Sequence, residues 1–177
     1  FPEENGEITY ELYTQGDTEE DTSVHSQGRA TVGSLNSSSP LASSTLGATP
    51  RVSSLDLKAL QSRMNQSGST EYMPEECYEA FKAMGIEYGP AHQGIEKLLV
   101  REDEVLAKLS LPTCVLETRD QYTLHPSLLD SALQASIGLM LGKEGVSPKL
   151  ALPFALEELI VQTPCTDTMW AWLRRSE

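Results

Sequence analysis

The stretch "YTLHPSLLDSALQASIGLMLG", residues 122–142, decides the fold of this chain. From Leu128 onward it is apolar on almost every side of a helix. Pro126 suits the first helical position, because a proline there gives up no helical hydrogen bond. The pattern predicts one long helix over residues 126–141, enclosed by the rest of its domain. The apolar surface is formed by Leu128, Leu129, Ala132, Leu133, Ile137, Met140 and Leu141.

A polar stripe interrupts this surface at Asp130 and Gln134. Residues four apart share a helix face, so the two side chains lie one above the other, with Ser127 just before them. A buried carboxyl needs partners or keeps its proton, and a protonated carboxyl can act as a general acid. Two interpretations stay open: an acid oriented by Gln134, or a carboxylate that caps a loop or faces solvent.

The segments around this helix predict the architecture. Ser54 is predicted to cap a first helix, and Pro74 to begin a second that stops at Gly85. Strands are predicted where apolar residues alternate or cluster between turns. They are residues 95–100, 104–111, 154–162 and 168–175. This order is typical of an α+β fold in which a curved antiparallel sheet wraps round one long central helix.

Composition divides the chain into three parts. Residues 1–33 contain two predicted strands, and two strands cannot make a domain, so their sheet is expected to continue outside this chain. Residues 34–54 are rich in serine and carry one charge, which predicts a flexible linker. Residues 55–177 are predicted to form the main folded unit.

Charge and cysteine content exclude several function classes. The net charge of −13 argues against nucleic acid or an anionic membrane as partner. No apolar run approaches the roughly 18 residues of a membrane span. The three cysteines, Cys77, Cys114 and Cys165, lack ligand spacing, which predicts free thiols in a reducing cytoplasm and no metal site.

Two motifs carry a family resemblance. "GIEYGPAHQG", residues 85–94, followed by "LHPSLLDSALQ", residues 124–134, resembles the dehydratase domains of modular polyketide synthases, mainly their C-terminal hotdog half. The resemblance extends to residues 152–161 and to residues 24–30. It implies a hotdog fold within a double-hotdog domain, with residues 1–33 as the last strands of the N-terminal hotdog.

The resemblance also implies a reaction. A β-hydroxyacyl chain on an acyl carrier protein loses water to give an α,β-unsaturated thioester. By motif, Asp130 is the acid, Gln134 orients it, and Tyr88 hydrogen-bonds near the hydroxyl or the acid. Substrate binding or structural support is implied for Gly89, Pro90, His125 and Pro126. No cofactor is implied, since the substrate rides on the carrier protein's phosphopantetheine arm.

The chain departs from the family pattern in its histidines. None of His25, His92 and His125 fits the motif of the family's base, and His92 stands where an aromatic residue is usual. The last strands of the hotdog are also not in the chain. We therefore expect a fragment that is inactive alone. Its expected partners are the missing N-terminal hotdog, neighbouring synthase domains and a carrier protein, and a homodimer is allowed. The alternatives are a non-catalytic structural or docking remnant and a dehydratase-fold isomerase or cyclase.

Overall fold

In a computed structural model of the protein, residues 7–15, 22–31, 55–141 and 153–175 are described. The chain divides into two units, Phe1–Arg51 and Val52–Glu177. The predicted linker, residues 34–54, lies outside the described residues.

The first unit contains an antiparallel hairpin. Strand β1 (Glu7–Thr14) pairs with β2 (Ser23–Thr31), and the register sets Glu7 opposite Thr31. Both predicted strands of this region are therefore present. Their larger apolar side chains, Ile8, Tyr10, Leu12, Tyr13 and Val24, are exposed. In its described residues the hairpin buries no side chain in a core of its own, as expected for a sheet of two strands.

The second unit is built on a four-stranded antiparallel sheet in the order β3-β4-β5-β6. Its strands are β3 (Thr70–Tyr72), β4 (Ile95–Arg101), β5 (Glu104–Ser110) and β6 (Thr168–Arg174). Its helices are α1 (Leu57–Met64), α2 (Pro74–Ala83) and α3 (Pro126–Gln134). Three 3₁₀ segments span Pro90–His92, Thr113–Gln121 and Ala135–Leu139.

The two sheet faces bury different side chains, because neighbouring strand residues point to opposite faces. Leu98 and Ala107, which are cross-strand partners, belong to the main core with α2 and the α3 region. Their neighbours Leu99 and Leu106 pack on the other face, against α1, Trp170 and Trp172. The sheet thus lies between α1 on one side and the α3 region on the other.

Four details of the predictions were wrong. Asp56, and not Ser54, caps α1, since its Oδ1 accepts the backbone N–H of Ala59 at 3.0 Å. The helix predicted over residues 126–141 is α-helical only to Gln134 and continues as a 3₁₀ segment. This tightening is common at helix ends, and here it coincides with Gly138 packed closely against the side chain of Val105.

The third error is the strand predicted at residues 154–162. Residues 153–162 form no strand, and Phe154, Leu156 and Ile160 are exposed. β6 is the outer strand of the sheet and pairs with β5 alone, so among the described residues its outer side stays unpaired and residues 153–162 do not add to it. An apolar run with strand propensity therefore does not by itself make a strand, because pairing depends on packing against the rest of the fold.

The helix is also less enclosed than predicted. Leu128 and Ile137 are buried, whereas Leu133 is 42% exposed. Within the described residues, no helix is long and apolar enough to cross a membrane.

Candidate active site

The start of α3 is fixed by His125, which is buried and precedes the first helical residue. Its Nδ1 accepts the backbone N–H of Ser127 at 3.2 Å. The hydroxyl of Thr118 donates to the carbonyl of Val115, so the 3.0 Å contact between Thr118 and His125 makes Nε2 the donor. Both ring nitrogens are therefore engaged within the fold. Pro126 occupies the first helical position, as predicted.

Asp130 and Gln134 lie on the same face of α3 and are in direct contact. The side-chain amide of Gln134 donates to Asp130 Oδ2 at 2.9 Å. The same nitrogen donates to the backbone carbonyl of His92, also at 2.9 Å. Gln134 is buried, and its Nε2 thus joins the helix to the loop that carries His92.

His92 is the site residue that sequence reasoning missed. Its Nδ1 lies 2.9 Å from Asp130 Oδ2, the same oxygen that Gln134 binds. The two residues are 38 positions apart in the chain, so no local spacing predicts the contact. The available signal was a titratable side chain inside the Tyr-Gly-Pro motif, at a position where an aromatic residue was expected.

The loop from Tyr88 to Gln93 is short and internally bonded. Gly89 accepts the backbone N–H of His92 at 2.9 Å, which closes the 3₁₀ turn that begins at Pro90. The side chain of Gln93 donates to the carbonyl of Tyr88 at 2.7 Å. These bonds fix the direction in which His92 leaves the backbone.

Gly94 then allows this loop to approach the helix. A Cβ at this position would lie 2.5 Å from Ser131 Oγ and 2.8 Å from the backbone oxygen of Ser110. Only a residue without a side chain permits such close packing. The close contact of Gly94 with α3, two residues after His92, therefore brings His92 within reach of Asp130.

Tyr88 is placed by aromatic packing. Its ring meets Phe81 edge-on at 5.0 Å and Tyr78 at 6.3 Å. Burial, and secondly the charge of Asp130, raise the pKa of Tyr88, so its phenol keeps its proton at neutral pH. Within the described residues its hydroxyl makes no hydrogen bond, so the predicted bond to Asp130 is not formed here. It remains a proton donor close to the carboxyl.

The neighbouring phenol has a structural role. Burial raises the pKa of Tyr78 to about 12. Its hydroxyl accepts the backbone N–H of Ile95 at 3.1 Å, which ties α2 to the start of β4. Both phenols are therefore neutral groups beside Asp130.

Asp130 is not a fully buried carboxyl. Its side chain is 35% exposed and that of His92 is 49% exposed. The polar stripe is accommodated by hydrogen-bond partners and partial exposure, and not by burial alone. An accessible carboxyl, an imidazole and a neutral phenol together can exchange protons with a bound substrate. Across the described residues no group of acidic, histidine and cysteine side chains could hold a metal ion.

Fold and site together describe an α+β domain whose helix α3 carries a partly exposed carboxyl bonded to Gln134 and in contact with His92. A family model described as the polyketide synthase dehydratase N-terminal domain matches residues 54–177. This chain belongs to the polyketide synthase dehydratase family. The family resemblance and the hotdog fold predicted from the sequence are confirmed.

Individual relatives agree with this assignment. Polyketide synthase PksN of Bacillus subtilis (strain 168) is 40% identical over 96% of the chain, and PksL of the same strain is 39% identical over 100%. The crystal structure of a trans-AT PKS dehydratase domain from Brevibacillus brevis is 44% identical and superposes with a TM-score of 0.76 over the whole chain. The chain spans 3% to 4% of the two synthases and 55% of the crystallised chain.

Proposed function

We propose that this chain is part of a dehydratase domain that removes water from a β-hydroxyacyl thioester and leaves an α,β-unsaturated thioester. Hydroxide is a poor leaving group, so it must be protonated as it departs. Asp130 is the proton donor, Gln134 holds the carboxyl, and Tyr88 supplies a neutral phenol beside the departing hydroxyl. The observation that supports this proposal best is the Asp130–Gln134 hydrogen bond on α3.

The other half of the reaction needs a base for the α-proton. In this proposal a histidine of the other hotdog supplies it, so the isolated chain does not turn over. Residues 55–177 act as the C-terminal hotdog and residues 1–33 as strands of the N-terminal one. The family model carries the name of an N-terminal domain, and the order of the two motifs supports the C-terminal assignment. Turnover by this chain alone would contradict the proposal.

The remaining partners follow from the reaction. The acyl chain is carried on the phosphopantetheine arm of an acyl carrier protein, and the elimination requires no further cofactor or metal. Relatives such as PksN are far longer than this chain, which supports neighbouring synthase domains as partners. The three cysteines are free, which supports a reducing cytoplasm as the site of action.

The test is Asp130→Asn in the intact dehydratase domain. This change keeps the shape and removes the proton donor. General acid–base groups typically contribute ~10²–10⁴-fold, and we expect dehydration of a carrier-bound or truncated thioester to fall by about that factor. Thermal unfolding should remain near wild type, because α3 is capped by His125 and not by Asp130. A lowered melting temperature with full activity would make Asp130 a structural residue only.

A further inference from the structure

The two oxygens of the Asp130 carboxyl have different surroundings. The side-chain amide of Gln134 donates to Oδ2 at 2.9 Å, and Nδ1 of His92 lies 2.9 Å from the same oxygen, to which it donates in its Nδ1–H tautomer. Within the described part of the chain, Oδ1 receives no hydrogen bond. Both donors therefore act on one oxygen and leave the other available.

We propose that His92 is a positioning residue for Asp130: its Nδ1–H, together with Gln134, holds Oδ2, so that the proton delivered to the substrate is carried on Oδ1. This inference rests on the proposed role of Asp130 as the acid. An oxygen that already accepts two N–H donors has little room for a proton of its own, whereas the other oxygen has no donor directed at it among the described residues. The proton therefore resides on the opposite oxygen and points away from the loop.

Fixing the carboxyl in this way has a physical purpose. Asp130 is partly exposed, so water competes for its oxygens, and a single bond from Gln134 allows the carboxyl to rotate about that contact. A second donor from a different segment removes this freedom. Reacting groups must be held within a fraction of an ångström and about 10–20° of the productive geometry. His92 supplies the second constraint from the loop side.

Gln134, which bonds to the Asp130 carboxyl, also holds the backbone of His92. Gln134 Nε2 donates to the backbone carbonyl of His92 as well as to Asp130. The backbone N–H of His92 is bonded to Gly89. The imidazole therefore starts from a fixed backbone position, with Nδ1 directed at the carboxyl and about half of its side chain exposed.

Few other ionisable groups face this pair. Within α3, Asp130 is the only charged residue, and within the 3₁₀ turn His92 is the only titratable one. The phenols of Tyr78 and Tyr88 are close to Asp130 and remain neutral. On the 3₁₀ segment Thr113–Gln121 that packs near the turn, Arg119 is paired with Asp120 and Asp167.

The experiment compares two His92 variants in the intact dehydratase domain. His92→Phe keeps a planar ring and removes the donor. His92→Asn is the matched control, because its side-chain amide nitrogen takes the place of Nδ1 and cannot titrate near neutral pH. Loss of a hydrogen bond to a charged group corresponds to about tenfold to a hundredfold, and we expect that fall in kcat for His92→Phe with KM nearly unchanged. His92→Asn should stay within a few-fold of wild type.

Several outcomes would overturn the inference. Wild-type kcat in His92→Phe would show that Gln134 suffices to orient the acid. Equal losses in both variants would show that the imidazole itself transfers protons, with Asp130 orienting Nδ1 and Nε2 acting as base. His92→Ala provides a second donor-free variant if the phenylalanine lowers the melting temperature.

Asp130→Asn, assayed in parallel, separates the two proposals. An active Asp130→Asn variant would remove the proposed function and this inference with it. An inactive Asp130→Asn variant beside a fully active His92→Phe variant would remove only the role of His92.

Discussion

Gly94 offers the sharpest test of how the site is assembled. It lies between the Tyr-Gly-Pro loop and the first residue of β4, and it packs directly against α3. In Gly94→Ala the new methyl group would lie 2.5 Å from Ser131 Oγ and 2.8 Å from the backbone oxygen of Ser110. Both distances are below van der Waals contact, so at least one neighbour must move.

The two neighbours can yield to different extents. Ser131 Oγ could change rotamer, but it would then lose its 2.7 Å hydrogen bond to the carbonyl of Ser127. The oxygen of Ser110 belongs to the backbone at the end of β5, and Ser110 N–H is bonded to Gly94 itself at 2.8 Å. Overpacking a core site costs about 1–3 kcal/mol and a lost hydrogen bond about 1 kcal/mol. We expect Gly94→Ala to lower the free energy of unfolding by roughly 2–4 kcal/mol in total.

The effect on activity should exceed the effect of instability. Moving the loop away from α3 separates His92 from Asp130 and weakens the contact of Gln134 with the His92 carbonyl. At a temperature where the variant is still fully folded, we expect kcat to fall by about tenfold or more, the order of one lost hydrogen bond to a charged group.

Gly89→Ala is the matched control. It lies in the same loop, five residues earlier, has a φ of −71° and has no atom within 4 Å of an added Cβ. The test measures chemical denaturation and initial dehydration rates of both variants in the intact domain. A Gly94→Ala variant as stable and as active as the wild type would refute the close-packing argument.

Two further predictions concern stability. Asp56→Ala should lower the free energy of unfolding by about 1 kcal/mol, because the α1 cap is lost. Ser54→Ala, the control, should change the free energy of unfolding little. The denaturant midpoints of the two variants measure this difference, and the opposite order would show that Ser54 is the cap. Burial raises the pKa of Cys77 from 9.0 to about 12 and that of Tyr78 from 10.0 to about 12. Because both folded-state values lie above the unfolded ones, this stabilisation is complete below about pH 9 and is lost between pH 9 and 12. Denaturation measured across that pH range should therefore show a falling free energy of unfolding, and the fall should be smaller in Cys77→Ala. A free energy of unfolding that stays constant up to pH 12 would contradict this prediction.

Local sequence signals predicted the elements that depend on local chemistry. α2 begins at Pro74, and its end is followed by Gly85, whose φ of +91° suits glycine alone. The β4–β5 hairpin follows from two apolar runs around a charged turn. In each case the physical cause lies within a few residues of the element that it determines.

Elements that depend on distant partners were predicted less well. Residues 154–162 were predicted as a strand, but they form none, and among the described residues the outer side of β6 stays unpaired. The α-helix of residues 126–134 changes to a 3₁₀ segment where Gly138 meets Val105 across the core. Neither the choice of sheet edge nor this contact is visible in a local pattern.

The residues of the site show the same difference between local and distant contacts. The contact of Asp130 with Gln134 follows from their spacing of four residues on one helix face. Tyr88 was identified by its motif, but its packing against Phe81 required the fold. His92 was undervalued, because only the folded chain shows that it reaches Asp130.

Gln134, a buried polar residue on this otherwise apolar helix, has a stability cost that bears on its function. Gln134 is buried, its Nε2 has two acceptors, and its Oε1 has no hydrogen-bond partner among the described residues. An unpaired buried acceptor typically costs about 1–3 kcal/mol, which a leucine at this position would avoid. Packing alone therefore does not explain a glutamine here. Its benefit lies in the two donations that hold the Asp130 carboxyl and the His92 loop together, the arrangement that the proposed acid role of Asp130 requires.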